Sequence, residues 1–130
     1  MIIANWKMNG SLEGLKDFFE KLDLREYAEV VVLPPAVYIR DCINAIGNRA
    51  LAVGIQNIWT EDAGAYTGEI SAKMARDIGA YWSLVGHSER RQLQRESDEL
   101  VKQKNVDLNK SGFVTLDDED YYTVKDNIKS

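Results

Sequence analysis

The chain has 130 residues, a mass of 14.7 kDa and a formal net charge of −5, with 45% hydrophobic and 28% charged residues. This composition is typical of a globular domain. The negative charge argues against a nucleic-acid partner, because binding to a phosphate backbone needs a basic surface. No run approaches the roughly 20 apolar residues of a transmembrane helix, and no secretory signal is recognisable at the start, so no membrane partner is expected.

Cysteine and histidine content limits the chemistry further. Cys42 is the single cysteine, so no internal disulfide can form, which fits a reducing compartment and predicts a cytoplasmic location. One cysteine and one histidine are also too few for a structural zinc site. Neither a metal nor a cofactor is therefore expected.

Short apolar runs alternate along the chain with segments in which apolar residues recur at helical spacing. The runs predict strands at Ile2–Trp6, Val30–Leu33, Leu51–Ile55 and Tyr81–Val85, and 113–116 could add a fifth. Helices are expected between them. Four to five successive βα units predict an α/β fold with a parallel sheet and helical crossovers. The pattern alone does not separate an open doubly wound sheet from part of a closed barrel.

The last part of the chain has a different character. Residues 1–112 form one unit of βα repeats, whereas 113–130 read as a divergent acidic tail, with room for a fifth strand and a short helix after the acidic run 117–120. On the helix predicted from Ser97 to Asn109, Asn105 shares a face with Val101 and Leu108. An amide therefore occupies a position where an apolar residue is expected.

Three segments rich in polar side chains follow predicted strands. They are 5–10 after the first strand, 56–71 after the third, and 84–100 from the end of the fourth. Parallel α/β folds place their active sites at the carboxyl ends of the strands. These segments are therefore the candidate site.

The same segments resemble, in order and spacing, the signature stretches of triosephosphate isomerase. The most specific are Gly-His-Ser-Glu-Arg-Arg at 86–91 and Asn-Trp-Lys-Met-Asn at 5–9. The resemblance runs from Ile2 to about Gly112. It implies the N-terminal half of a (β/α)8 barrel. It also implies an isomerase of glycolysis and gluconeogenesis, which interconverts dihydroxyacetone phosphate and glyceraldehyde 3-phosphate through an enediolate.

The resemblance implies roles for individual side chains. His87 matches the family's electrophile, and the family is itself the standard example of a histidine kept neutral by a helix N-terminus. Lys7 matches the lysine that neutralises the anionic substrate and the developing charge. Asn5 matches a neighbouring substrate-binding asparagine. Glu89 matches a supporting residue and is the expected ion partner of Lys7.

The loop from Thr60 to Gly68 resembles the family's interdigitating loop, which reaches into a neighbouring subunit. By this resemblance Thr67 approaches the partner's catalytic pocket. Glu69 is expected to pair with Arg90 across the interface. The resemblance therefore implies a homodimer.

Several family elements do not occur in these residues. The general base lies on a Glu-Pro-Val-Trp segment in the family, but the only prolines here are Pro34 and Pro35. The lid and the two glycine-rich phosphate loops are also missing. We therefore expect a truncated chain that is inactive alone and needs a complementing second half. The alternative is a non-catalytic fragment or assembly module that keeps the dimer loop. A half barrel is also expected to expose two strand edges and part of an apolar inner face.

Overall fold

The structure, a computed structural model, describes residues 2–22 and 29–116. Its strands and helices alternate in chain order as follows: β1 Ile2–Asn5, α1 Leu12–Lys21, β2 Val30–Leu33, a 3-10 turn Ala36–Tyr38 leading into α2 Ile39–Ile46, β3 Ala52–Val53, α3 Ala72–Asp77, β4 Trp82–Leu84, α4 Ser88–Leu93, α5 Asp98–Lys110 and β5 Val114–Leu116. The acidic run and the terminal helix expected after Leu116 lie outside the described residues.

All pairings between the described strands are parallel. β1 pairs with β2, β2 with β3, and β4 with β5. The two groups join just after β3, where the Ile55 N–H donates to the Trp82 carbonyl at 2.8 Å and the Leu84 N–H donates to the Ile55 carbonyl at 3.1 Å. The four predicted strands are therefore neighbours in chain order, which confirms the α/β prediction with parallel strands.

Gly54 lies directly after β3, at a point where the fourth strand comes close to the third. A Cβ at this position would lie 2.5 Å from the Trp82 carbonyl oxygen and 2.6 Å from Leu33 Cδ2. Such distances are well inside van der Waals contact, so a side chain here would push β4 away from the sheet. The Gly54 N–H still donates to the Val32 carbonyl at 2.8 Å, and the lack of a side chain at Gly54 lets the fourth strand approach closely.

The helices cover the outer face of the sheet. Helix α1 begins after Ser11, whose side chain accepts from the Gly14 N–H at 2.9 Å, and it buries Leu15, Phe18 and Phe19. Phe18 packs edge-on against Trp6 of the first strand segment, with ring centroids 5.3 Å apart. Burial of each such side chain contributes about 1.5–3 kcal/mol.

The inner face of the sheet carries a second apolar cluster. Its fully buried members come from four strands: Ile3, Val31, Leu33, Leu84 and Leu116. Because these side chains are buried against one another, the part of the inner face that was expected to be exposed does not include them. Val114 at the edge strand β5 is 45% exposed.

The buried face of α5 differs from the predicted one. Its buried residues are Val101, Lys104 and Leu108, while Asn105 is only half-buried. The inward stripe therefore follows i, i+3, i+7 spacing and includes a lysine in place of the predicted asparagine. No helix of the described chain has the length and apolar character needed to cross a membrane.

Candidate active site

The carboxyl ends of β1, β3 and β4 meet around one open cleft of about 210 Å³. The polar residues that line it come from three segments: Asn5 and Lys7 after β1, Gln56 and Asn57 after β3, and His87, Glu89 and Arg90 at the start of α4. The structure thus brings together Asn5, Lys7, His87 and Glu89, the four residues that sequence analysis assigned to the site.

Lys7 is held in an uncommon backbone conformation. Its φ angle is +55°, a left-handed value that costs a residue with a side chain about 1–3 kcal/mol. Its N–H donates to Asn5 Oδ1 at 2.9 Å, and its carbonyl accepts from Gln56 Nε2 at 2.8 Å. Buried Asn5 and half-buried Gln56 therefore fix the backbone that presents the Lys7 side chain to the cleft.

Lys7 and Glu89 form an ion pair across the mouth of the cleft. The distance from Nζ to Oε2 is 3.5 Å, and the side chains are 38% and 48% exposed. Ion pairs this exposed are screened by water and add little to stability. The pair instead keeps the lysine ammonium over the cleft, where an anionic ligand can compete for it.

His87 is buried and lies directly before α4. Its Nδ1 accepts from the Glu89 N–H at 3.1 Å, closer than the 3.4 Å that separates Nδ1 from Glu89 Oε1. A nitrogen that accepts a hydrogen bond carries no proton, so the neutral imidazole has its hydrogen on Nε2. His87 can therefore act as a hydrogen-bond donor through Nε2.

A buried ionic cluster lies beneath the cleft. Glu96 Oε2 accepts from Lys104 Nζ at 2.5 Å and from Arg90 Nε at 2.7 Å. The side chain of Glu96 is 2% exposed and that of Lys104 is 0% exposed. Lys104 Nζ also donates to Asn57 Oδ1 at 2.7 Å. The cluster therefore ties helix α5 to two residues, Arg90 and Asn57, that line the cleft.

Lys104 was missed by the sequence analysis. A signal was present, since Val101, Lys104 and Leu108 occupy one stripe at helical spacing and an acidic residue, Glu96, precedes the helix. A lysine on an apolar stripe indicates a buried cation only when a carboxylate is within reach. That second condition depends on the fold of the loop between α4 and α5.

Burial and ion pairing shift the pKa values of Glu96 and Lys104 in opposite directions. For Glu96, burial is the largest influence and by itself raises the pKa, but hydrogen bonds and charge from Lys104 and Arg90 together hold the pKa below its ordinary value. For Lys104, burial lowers the pKa, and the hydrogen bond and charge of Glu96 offset this only in part.

The lowered pKa of Glu96 predicts a loss of stability in acid. Because the unfolded chain binds this proton at higher pH than the folded chain, the contribution of Glu96 is complete above the unfolded pKa and is lost as pH falls through the folded pKa. We expect the urea midpoint to fall as the pH drops below the ordinary carboxyl pKa, and to fall less in Glu96→Gln. Asp98→Asn is the matched control. An equal acid dependence of the Glu96→Gln variant and the unaltered chain would contradict the assignment.

The residues expected at a dimer interface are placed apart from the cleft or paired inside the chain. Thr67 and Glu69 are exposed, in a loop where Tyr66 packs against Trp59 with ring centroids 5.5 Å apart. Arg90 contacts Glu96 of its own chain. The contact between Glu69 and Arg90 across an interface stays a prediction. Among the described residues, no cluster of three or more acidic, histidine or cysteine side chains could hold a metal ion.

Comparison with known proteins places the chain among relatives of one shared description. The family described as triosephosphate isomerase matches residues 1–116, past the predicted boundary at Gly112. The curated triosephosphate isomerase of Psychromonas ingrahamii is 37% identical over 120 residues, which cover 89% of this chain and 48% of the relative. The triosephosphate isomerase of Marinobacter nauticus is 42% identical over 121 residues, which cover 89% of this chain and 48% of the relative. The triosephosphate isomerase of Francisella tularensis subsp. mediasiatica is 45% identical over 108 residues, which cover 80% of this chain and 42% of the relative. The chain spans about half the length of these relatives.

Proposed function

The chain belongs to the triosephosphate isomerase family, and from that premise we propose that its cleft binds a triose phosphate and supplies the electrophilic side of the isomerisation. The substrate is dihydroxyacetone phosphate or glyceraldehyde 3-phosphate. The observation that supports this most strongly is the convergence of Lys7 and the donor-capable imidazole of His87 on one cleft at the carboxyl ends of the strands.

The proposed chemistry follows from where charge develops. Removing a proton from the carbon next to the carbonyl places negative charge on the carbonyl oxygen. A neutral imidazole that donates a hydrogen bond through Nε2 stabilises this oxygen, while the proton taken from carbon stays on the base until it returns to the neighbouring carbon. The Lys7 ammonium stabilises both the phosphate and the developing charge, and it is free to do so when the ligand displaces Glu89 from its weak pair.

The proton-abstracting base is the part of the reaction that these residues do not account for. The family's Glu-Pro segment does not occur in the 130 residues. We propose that the base and the phosphate loops come from polypeptide that corresponds to the other half of the relatives' length. The chain described here then contributes a half site to a complete barrel.

The proposal extends to assembly and location. Thr67 and Glu69 are exposed, as an interface loop requires, and a third of the Arg90 side chain is accessible. We propose a homodimer in which these residues meet the neighbouring subunit, in the cytoplasm, where glycolysis takes place.

Ligand binding tests the half site without requiring turnover. Glycerol 3-phosphate carries the substrate's charge and three-carbon length but lacks the carbonyl, so it cannot react. Lys7→Met is expected to weaken its binding about 10- to 100-fold, the value of one charge-assisted hydrogen bond. The exposed Lys73→Met is the matched control and is expected to bind as the unaltered chain does. NMR titration measures both affinities.

Equal affinities for Lys7→Met and the unaltered chain would contradict the proposal. That outcome would favour the alternative, a non-catalytic assembly module. If binding is intact but dimerisation is absent by light scattering, only the assembly part fails.

A further inference from the structure

The buried cation Lys104 determines which way the amide of Asn57 points. A lysine ammonium carries three donors and no acceptor, so the group facing it at 2.7 Å must be the amide oxygen of Asn57. The amide nitrogen, with two hydrogens, then lies on the other side of the same planar group. Asn57 lines the cleft together with Lys7 and His87. The oxygen is turned toward the protein interior and the donors are left for the cleft.

The charges beneath Asn57 strengthen these donors. Two cations, Lys104 and Arg90, share one oxygen of a single carboxylate, Glu96. Glu69 also acts on Lys104 by its charge, but Glu69 is exposed and is screened by water. Lys104 is fully buried, so water screens its charge only weakly. A cation bound to the amide oxygen polarises the amide and makes its N–H groups better donors. The cluster therefore favours negative charge on the cleft side of Asn57.

We propose that Asn57 is a further ligand-binding residue of the cleft, that its amide N–H groups donate to an anionic oxygen of the phosphorylated ligand, and that Lys104 is the positioning residue that orients this amide. The inference rests on the proposed function, since it concerns the same cleft and the same class of ligand. Gln56, the neighbouring amide, does not share this role, because its Nε2 already donates to the carbonyls of Lys7 and Leu33 at 2.8 and 2.9 Å.

The substitution Asn57→Asp separates binding from folding. The aspartate has the same shape and keeps an oxygen facing Lys104, so it preserves and strengthens that contact. It also replaces the two donors with a negatively charged acceptor on the cleft side. A purely structural asparagine predicts a loss no larger than the one that the same added charge causes in Met8→Asp, since Met8 also lines the cleft and is exposed. We expect at least a tenfold loss of affinity for glycerol 3-phosphate and for inorganic phosphate.

The experiment titrates the full chain with these two anions and follows the side-chain amide signals of Asn57 by NMR. The signals are expected to shift with the binding curve in the unaltered chain. In Lys104→Met, whose side chain has similar length and no donor, they are expected to shift at least fivefold less at the same anion concentration. Asn109→Asp, an exposed position on the same helix as Lys104, makes the same chemical change away from the cleft and is expected to alter affinity less than twofold.

The outcomes distinguish this inference from the proposed function. If Lys7→Met weakens binding and Asn57→Asp does not, the role of Asn57 is overturned and the half site stands. Asn57 signals that stay unmoved at saturation overturn the role of Asn57 in the same way. Absence of saturable binding, or equal affinity in Lys7→Met, overturns both. If Lys104→Met fails to fold, the affinity of Asn57→Asp for the two anions alone decides whether Asn57 binds the ligand.

Discussion

A polypeptide of these 130 residues is expected to show no isomerisation of glyceraldehyde 3-phosphate above a no-protein control. A positioned acid or base typically contributes 10²–10⁴-fold, and an electrophile cannot replace the base. The cleft is also open, so an enediolate bound in it would be exposed to water, and without the family's phosphate loops the ligand is held by fewer contacts. Among the residues that the structure describes, the carboxylate that lines the cleft is Glu89, which is engaged by Lys7 and lies at the imidazole.

Adding a second polypeptide that carries the remaining half of the family's barrel is expected to restore turnover. In the restored complex His87→Gln is expected to lower kcat by about 10²–10³-fold, the usual loss when one donor to a developing oxyanion is removed. A coupled spectrophotometric assay measures both steps. The His87→Gln chain, purified by the same route, also controls for contaminating host isomerase. Turnover by the unaltered polypeptide alone, abolished by His87→Gln, would show that a base lies within these residues.

Removing the carboxylate of Glu96 is expected to lower the free energy of unfolding substantially. Glu96→Gln leaves the buried ammonium of Lys104 and the Arg90 guanidinium without a compensating charge. Breaking a buried pair in this way costs about 3–5 kcal/mol. Because burial already lowers the pKa of Lys104, raising the pH lets this lysine lose its proton, so the variant is expected to regain stability in alkaline solution.

A double-mutant cycle measured by urea denaturation checks this expectation. Glu96→Gln combined with Lys104→Met removes both charges and is expected to be more stable than Glu96→Gln alone. The matched control is Asp98→Asn, which breaks the ion pair of Asp98 with Arg91 at 2.5 Å; Asp98 is 96% exposed, so its loss is expected to matter far less. A Glu96→Gln variant no less stable than Asp98→Asn would show that the cluster does not hold the fold together.

Local patterns in the sequence determined the element order and the place of the candidate site. The strands lie in the β-branched and apolar runs, and Ser11 and Ser97 cap the N-termini of α1 and α5, because periodicity and capping act over a few residues. The pairing of Lys7 with Glu89 was also predictable, since the resemblance brings two short motifs to the same end of the sheet.

Tertiary structure alone decided the features that depend on distant segments. The position of Gly54 leaves no room for a side chain because Trp82 approaches it, and side chains from four strands bury one another on the inner face. Lys104 is buried because Glu96 and Asn57, 8 and 47 positions away in sequence, meet its ammonium. Burying a cation on the apolar face of a helix costs free energy of desolvation. Contacts with residues from other elements compensate this cost, and the local sequence does not show them. The sequence therefore determined the strands and the polar side chains at their ends. Long-range packing determined that the ammonium of Lys104 is buried beneath the cleft, against Glu96 and Asn57.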